Sequence, residues 1–278
     1  MVNVASVPQR SPFRYPGGKT WLIPHIRLWL RSLSPRPYEL IEPFAGGAIV
    51  SLTAAFEGPV SQVTMAELDA DVAAVWETIL GTDGAWLAER IAAFDISPEA
   101  VAQELLSTSK ELRERAFHTI LRNRVNHGGI LAPGSGVLKH GENGKGIASR
   151  WYPGTLKRRI YDILQVKERI NFVHGDGLTL LRQQAQRSDA VFFIDPPYTA
   201  GGKRAGARLY THSQLDHEEL FSIAETLVGD FLMTYDEADD VRHLAAKYGF
   251  DVQRVPMKNT HHATMVELLI GRNLAWVR

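Results

Sequence analysis

The sequence predicts an α/β fold: an open sheet with helices on both faces, interrupted by a mainly helical insertion. Three observations predict it. Strand-like and helix-like runs alternate over residues 38–80, and the same rhythm resumes at residue 170 and continues to the end. The run Val191-Phe192-Phe193-Ile194 has the apolar density of a fully buried strand. Between the two halves, over residues 76–165, the alternation stops and helical spacing takes over, in one run at 76–94 and another at 99–121. The boundaries follow: one domain from 11–75 and 166–278, with an insert at 76–165.

A chain of 278 residues, 45% hydrophobic and 22% charged, has the size and composition of a soluble globular protein with a sizeable core. No apolar run approaches membrane-spanning length and the start has no signal-peptide core, so a cytoplasmic protein without a membrane partner is expected. There is no cysteine. That excludes disulfides, thiolate metal sites and any cysteine nucleophile, including the covalent adduct needed to methylate a ring carbon of cytosine.

Taken in order, residues 1–10 lack periodicity and read as a poorly ordered lead-in. Pro12-Phe13-Arg14-Tyr15-Pro16-Gly17-Gly18-Lys19 then turns into a helix with Lys19 near its start. Gly18-Lys19-Thr20 matches the end of a phosphate-binding loop, but Phe13 stands where that motif needs glycine, which disfavours a nucleotide triphosphatase. Next come a strand, Tyr38 to Phe44, a tight turn, Ala45-Gly46-Gly47-Ala48, and a helix from Ile49 to Phe56. Small residues there let backbone approach a ligand while helix-start amides face it. The spacing is not that of a dinucleotide site. Glu42 ends the strand, where it could meet a ligand's ammonium. The second strand, Val60 to Glu67, ends in an acid placed to hold a ribose hydroxyl pair. Asp69 or Asp71 could equally be the cap of the helix that follows.

The insert carries the charge. Residues 110–170 hold 13 Lys or Arg against 5 Asp or Glu, a net +8 hidden inside a formal total of zero. Such a patch is the electrostatic footprint of a polyanion site. Arg122, Asn123, Arg124 and Asn126 are residue types that read base edges, and Lys157, Arg158 and Arg159 suit phosphates. A solvated charged face is the plainer alternative. Arg122 to Gly129 and the Gly-rich stretch to Gly146 suggest a loop or hairpin.

A strand at Ile170 to Asp176 restarts the rhythm; Asp176 could accept a ring amine or merely cap the next helix. The strand Val191 to Ile194 then stops at Asp195-Pro196-Pro197-Tyr198. Two prolines fix φ twice and remove two donors, so Asp195 is held rigidly at the carboxyl end of a sheet strand, where ligands bind in open α/β sheets. A carboxylate and a backbone carbonyl so placed can accept both hydrogens of one planar amine, with an aromatic ring beside them. Beyond it lie a loop with Lys203 and Arg204, expected to order on substrate, then helix, strand, helix and a final strand pair, Val252 to Met257 and Thr264 to Ile270. The pairs His212/His217 and His261/His262 lack zinc-type spacing, so no metal is expected.

The elements Pro12 to Lys19, Ile41-Glu42-Pro43-Phe44-Ala45-Gly46-Gly47 and Asp195-Pro196-Pro197-Tyr198, in this order, resemble the Dam-type DNA adenine-N6 methyltransferases. The resemblance covers nearly the whole chain and is specific at the catalytic corner and the first Gly turn. It implies a Rossmann-like methyltransferase sheet, S-adenosyl-L-methionine as cofactor, and the insert as a DNA target-recognition domain. Tyr15, Lys19, Glu42, Phe44 and Gly46 would surround the cofactor's methionine part, Glu67 its ribose and Asp176 its adenine, with Asp195 alongside. Arg122-Asn123-Arg124 would begin a DNA-reading hairpin. Two departures stand out: Ala48 where many relatives have a third glycine, and Gly177 where an aromatic often follows the acid.

The implied reaction is methyl transfer to N6 of an adenine flipped out of duplex DNA, with Asp195 and the Pro196 carbonyl taking the amine hydrogens and Tyr198 stacking on the base. A monomer suffices for this one-strand reaction. The enzyme could serve a restriction–modification system or stand alone. Two rivals remain: an enzyme of the same fold acting on cytosine N4, an RNA base or a protein amide, and a DNA-binding module without catalysis. The N-terminal element and basic insert argue against the first, and the intact Asp195 and Tyr198 against the second.

Overall fold

A computed structural model describes residues 7–15, 17–107, 109–139, 141, 144–198, 215–258 and 264–278. Its centre is one seven-stranded sheet. In chain order the strands are β1 (Glu39–Glu42), β2 (Gln62–Glu67), β3 (Ile170–His174), β4 (Ala190–Ile194), β5 (Phe231–Asp236), β6 (Asp251–Lys258) and β7 (Thr264–Gly271). They lie side by side as β3-β2-β1-β4-β5-β7-β6. The first five are parallel, and β7 runs antiparallel to both β5 and β6. The order therefore reverses between β1 and β4, whose register pairs Ile41 with Phe192. That is the switch point at which the ends of Glu42 and Asp195 come together.

The central strands are apolar on both faces because helices cover both. Val191 and Phe193 point into one cluster with Trp29, Val63 and Trp76. Phe192 and Ile194 point into the other with Phe221, Met233 and Tyr235. Helices α1 (Ile23–Ser32), α2 (Ile49–Glu57) and α3 (Ala70–Leu80) feed the first face. Helices α8 (Gly177–Gln184), α9 (His217–Thr226) and α10 (Asp239–Lys247) feed the second. Burial of one large apolar side chain contributes about 1.5–3 kcal/mol, so these two layers are the principal source of stability.

Between β2 and β3 the chain is helical: α4 (Gly84–Ala93), α5 (Pro98–Leu105), α6 (Leu112–Val125) and α7 (Pro153–Leu164). Leu87, Phe117 and Ile160 are fully buried in the same cluster as Val63 and Phe193, so this segment extends the core of the sheet's first face. The run 76–94, read as one helical stretch, is two helices. Gly81 ends α3, and a Cβ there would sit 2.7 Å from the Glu77 carbonyl oxygen. The run 99–121 likewise breaks into α5 and α6. Arg122-Asn123-Arg124 is the last turn of α6 and not the start of a hairpin; among the described residues that follow there is a single bridge, Asn126 to Val137. No helix among the described residues is long and apolar enough to cross a membrane.

Candidate active site

The two prolines after β4 end the strand, and Asp195 sits at its tip, one-fifth exposed. Three donors converge on a single oxygen of its carboxylate. Tyr198 Oη donates to Oδ1 at 2.9 Å, Thr234 Oγ1 at 2.7 Å, and Lys19 Nζ lies 3.0 Å away. Among the described residues no donor meets Oδ2. The acid is thus oriented from one side with its second oxygen available.

Lys19 arrives from the short 3-10 turn that opens α1, and its position is held by a bond from Nζ to the Gly17 carbonyl at 2.9 Å. Burial works against its ammonium, but Asp195 and Glu267 outweigh this and hold its pKa above the usual value. Glu267 closes the group: Oε2 is 3.7 Å from Lys19 Nζ and accepts from Tyr198 Oη at 3.3 Å. Tyr198 has one hydrogen for two carboxylates. Burial and both carboxylates push its pKa far up, so it stays a phenol. Its ring stacks on Tyr235 at 5.7 Å, with Lys19 Nζ 4.8 Å from its centroid. The ring is engaged by the protein behind the acid and does not line the cleft described below.

Neither Thr234 nor Glu267 was singled out in the sequence. A signal existed for Glu267: an acid inside the apolar run Met265-Val266-Glu267-Leu268-Leu269-Ile270, now 5% exposed on β7. For Thr234, a threonine in a strand, there was none.

Asp195, Pro196 and Pro197 line a cleft of about 830 Å3. Every residue expected at the cofactor lines the same cleft: Tyr15, Lys19, Glu42, Phe44, Gly46, Glu67 and Asp176. Glu42 is buried at the end of β1, where Oε2 accepts the Ser51 amide at 2.9 Å, and burial raises its pKa to about 8. Glu67, at the end of β2, accepts the amides of Gly46 at 3.0 Å and Asp69 at 2.8 Å; burial and the nearby Asp69 raise its pKa to about 7. Asp69 caps α3, as one of the two readings had it. Asp176 caps α8 through Oδ2, which accepts the Thr179 amide and hydroxyl at 2.8 Å each.

The Gly turn is built for close approach. The Tyr15 ring lies against it so tightly that a Cβ on Gly46 would come within 2.5 Å of that ring. Ala48 adopts left-handed backbone, φ 52° and ψ 32°, the one non-glycine to do so among the described residues. Its third-glycine position is thus a conformational requirement that alanine meets at a cost of roughly 1–2 kcal/mol. Gly177 also has a reason. A Cβ there would meet the Pro43 carbonyl oxygen at 2.4 Å and the Phe44 ring at 2.8 Å, so the close packing of Pro43 and Phe44 against the start of α8 requires glycine.

The residues expected to read bases face inward. Asn123 is fully buried; its amide donates to the carbonyls of Arg14 at 2.9 Å and Gly129 at 2.7 Å and accepts the Arg14 amide at 2.8 Å. Asn126 donates to the Ile130 carbonyl and to Ser135, both at 2.8 Å. Arg124 is 4% exposed and bonds the Pro12 carbonyl. These three side chains tie α6 to the lead-in and the following loop, and base edges are out of their reach in this arrangement. Arg122 pairs with Asp71 at 2.9 Å and Lys157 with Glu89 at 2.7 Å, both at the surface; Arg158 is exposed, and Arg159 donates to the Ser11 carbonyl at 2.9 Å. Lys203, Arg204, His212, His261 and His262 lie outside the described residues. His217 faces Tyr235, with Nδ1 3.0 Å from Oη. Glu104, Glu114 and His118 come together on α5 and α6, but Arg90 already pairs with Glu104 at 2.8 Å.

Sheet order and the switch-point cleft with its strand-end acid define the class: a doubly wound, Rossmann-like α/β fold. More particularly, residues 15–127 match the family model of the D12 class N6 adenine-specific DNA methyltransferases. That match bears out the resemblance read from the sequence over Tyr15 to Lys19, the Gly turn, Glu67 and α6; the Asp195 corner lies beyond it. No curated protein matches the chain. Solved structures with a similar course include a Pyrococcus horikoshii protein described as an RNA methyltransferase, 9% identical, covering 95% of this chain and 87% of that one at a TM-score of 0.43. The rRNA methyltransferase aviRa from Streptomyces viridochromogenes is 13% identical, with 93% and 86% covered and a TM-score of 0.41. Precorrin 8w decarboxylase from Methanobacterium thermoautotrophicum is 12% identical, with 94% of each chain covered and a TM-score of 0.36. Likenesses this distant carry no argument about substrate or reaction.

Proposed function

We propose that this protein is a DNA adenine-N6 methyltransferase that uses S-adenosyl-L-methionine. The observation that carries the reading is the one-sided Asp195, with every donor among the described residues on Oδ1 and the adjacent Pro196 lining the same cleft. The residues present suit the cofactor: a Gly turn tight enough to exclude a side chain, acids at successive strand ends, and a cleft volume within the range of cofactor sites. The cofactor, when bound, supplies an electrophilic sulfonium methyl group.

The protein's own part is to position a weak nucleophile. The adenine N6 lone pair is delocalised into the ring. Asp195 Oδ2 accepts one amine hydrogen and the Pro196 carbonyl the other, which draws the nitrogen toward a pyramidal form with its lone pair aimed along the line of attack. Lys19, Thr234 and the Tyr198 phenol hold the Asp195 carboxylate oriented before substrate arrives. Positioning of this kind supplies roughly 7–11 kcal/mol in favourable cases. Glu42, Glu67 and Asp176 bind the cofactor's ammonium, ribose and adenine, with Phe44 as the stacking surface beside Gly177. The base reaches the cleft by flipping out of the duplex. Residues 11–75 and 166–278 form the catalytic domain, and 76–165 recognises DNA through its exposed basic face, Lys157 and Arg158 included, acting as a monomer in the cytoplasm.

Transfer of labelled methyl from S-adenosylmethionine to unmethylated DNA, followed by nucleoside analysis, tests the reading. N6-methyladenine at one short motif is expected. Methyl on cytosine N4, RNA or a protein amide would keep the fold and overturn the substrate. Asp195→Ala should lose at least 100-fold in turnover (roughly the contribution of one preorganised polar group) while cofactor affinity stays within a few-fold. Near-normal methylation by that variant would sink the mechanism.

A further inference from the structure

Four arginines line the cleft together with the strand-end acids: Arg14, Arg124, Arg150 and Arg159. They come from the lead-in, the end of α6, the segment before α7, and α7 itself. Among the described residues, none of Arg14, Arg124 and Arg159 forms an ion pair with a carboxylate. Arg124 is 4% exposed, and its Nε finds no hydrogen-bond acceptor among the described residues. Burial, then repulsion from Arg159 and Arg14, lowers its pKa to about 9. Burial and Arg150 lower that of Arg14, and burial and Arg158 that of Arg159. Like charges gathered around one buried guanidinium that has no carboxylate partner among the described residues are costly, and an anion that enters the cleft lowers the cost.

We infer that Arg14, Arg124, Arg150 and Arg159 form a subsite for one phosphate, occupied in the working complex by the phosphodiester beside the extruded base. Guanidinium forks match phosphate oxygens bidentately. A cofactor carries a single carboxylate and already has Lys19 in the cleft, whereas three of these arginines belong to the insert, with its net positive charge and exposed Arg158. Tyr152, half exposed and lining the same cleft, offers a ring for a neighbouring base. The assignment of the phosphate to a nucleic acid rests on the function proposed above; the subsite itself does not.

Arg14→Gln is the test, because the Arg14 side chain makes no hydrogen bond among those of the described residues, so the fold does not depend on it. A fluorescein-labelled duplex oligonucleotide is titrated over a range of salt concentrations. Loss of one phosphate contact should reduce the slope of log affinity against log salt by about 0.9 and weaken binding roughly five- to tenfold near 0.15 M salt. S-adenosylmethionine affinity, measured by calorimetry, should not change. An unchanged slope in both Arg14→Gln and the folded double variant Arg14→Gln/Arg150→Gln overturns the inference. So does a loss of cofactor affinity with duplex binding intact, since the arginines would then serve the cofactor's carboxylate. Inorganic pyrophosphate separates the two proposals. Thermal stabilisation of the wild type, absent in Arg14→Gln, keeps the subsite even if methyl goes to a substrate other than DNA. No stabilisation, with an unchanged slope, removes the subsite even if N6-methyladenine is formed.

Discussion

At the tips of the strands, single carboxyl groups carry the site's electrostatics. Glu42 has its ordinary value of 4.5 raised to about 8, and Glu67 and Glu267 theirs to about 7, in each case first by burial. Each group binds its proton more tightly folded than unfolded. Its contribution to stability is therefore fully present below about pH 4.5 and is lost as pH rises through the folded value. Glu42→Gln keeps the acceptor for the Ser51 amide and removes the titration. Without added cofactor, the melting temperature of the wild type should fall relative to Glu42→Gln between pH 4.5 and 8, with the variant the more stable at pH 9. Parallel melting curves across that range would show that Glu42 is not a buried neutral acid. The acid itself was legible in the sequence as the end of a strand before a Gly turn. Its protonation was not, because burial depends on the helices packed around it.

Local backbone decides what the turns can hold. Gly177 was read as a departure, leaving the adenine ring without its aromatic partner. In the structure Gly177 is what lets Pro43 and Phe44, arriving from another strand end, pack against the start of α8. Gly177→Ala would place a methyl 2.4 Å from the Pro43 carbonyl oxygen, so β1 and α8 must separate. A forced shift of this kind costs about 1–3 kcal/mol. Denaturant midpoint and S-adenosylmethionine affinity should fall together; a variant as stable and as tightly binding as the wild type would show that Phe44 does not need the gap. Positions of β1, β4 and the final strand pair were readable from short apolar runs and prolines. The breaks between α3 and α4, and between α5 and α6, were not. Each does carry a turn signal, Gly81-Thr82-Asp83-Gly84 in the first and Ser107-Thr108-Ser109 in the second, but the helical spacing on both sides outweighed it.

At the scale of the molecule, the insert and the sheet share one core. Phe117 on α6 and Ile160 on α7 are buried with Trp76 and Phe193, so residues 76–165 have no separate apolar interior to unfold around. Calorimetry should show the insert and the sheet melting in one transition, and Phe117→Ala should destabilise both by about 3–5 kcal/mol. Two resolved transitions, only one of them moved by Phe117→Ala, would mean an independent domain.

The sequence by itself determined the alternating α/β plan, the strand ends at Glu42, Glu67 and Asp195, and the rigidity of the Asp-Pro-Pro-Tyr corner. All of these rest on periodicity and on proline and glycine backbone preferences, which act within a few residues. Only the tertiary structure decided which oxygen of Asp195 stays available, because Lys19 and Thr234 reach the other one from distant parts of the chain. It also turned Asn123, Arg124 and Asn126 from expected base readers into ties to the lead-in and loop. A polar side chain's direction is set by which buried carbonyl groups lie within 3 Å of it, and contacts across more than a hundred residues leave no trace in local pattern.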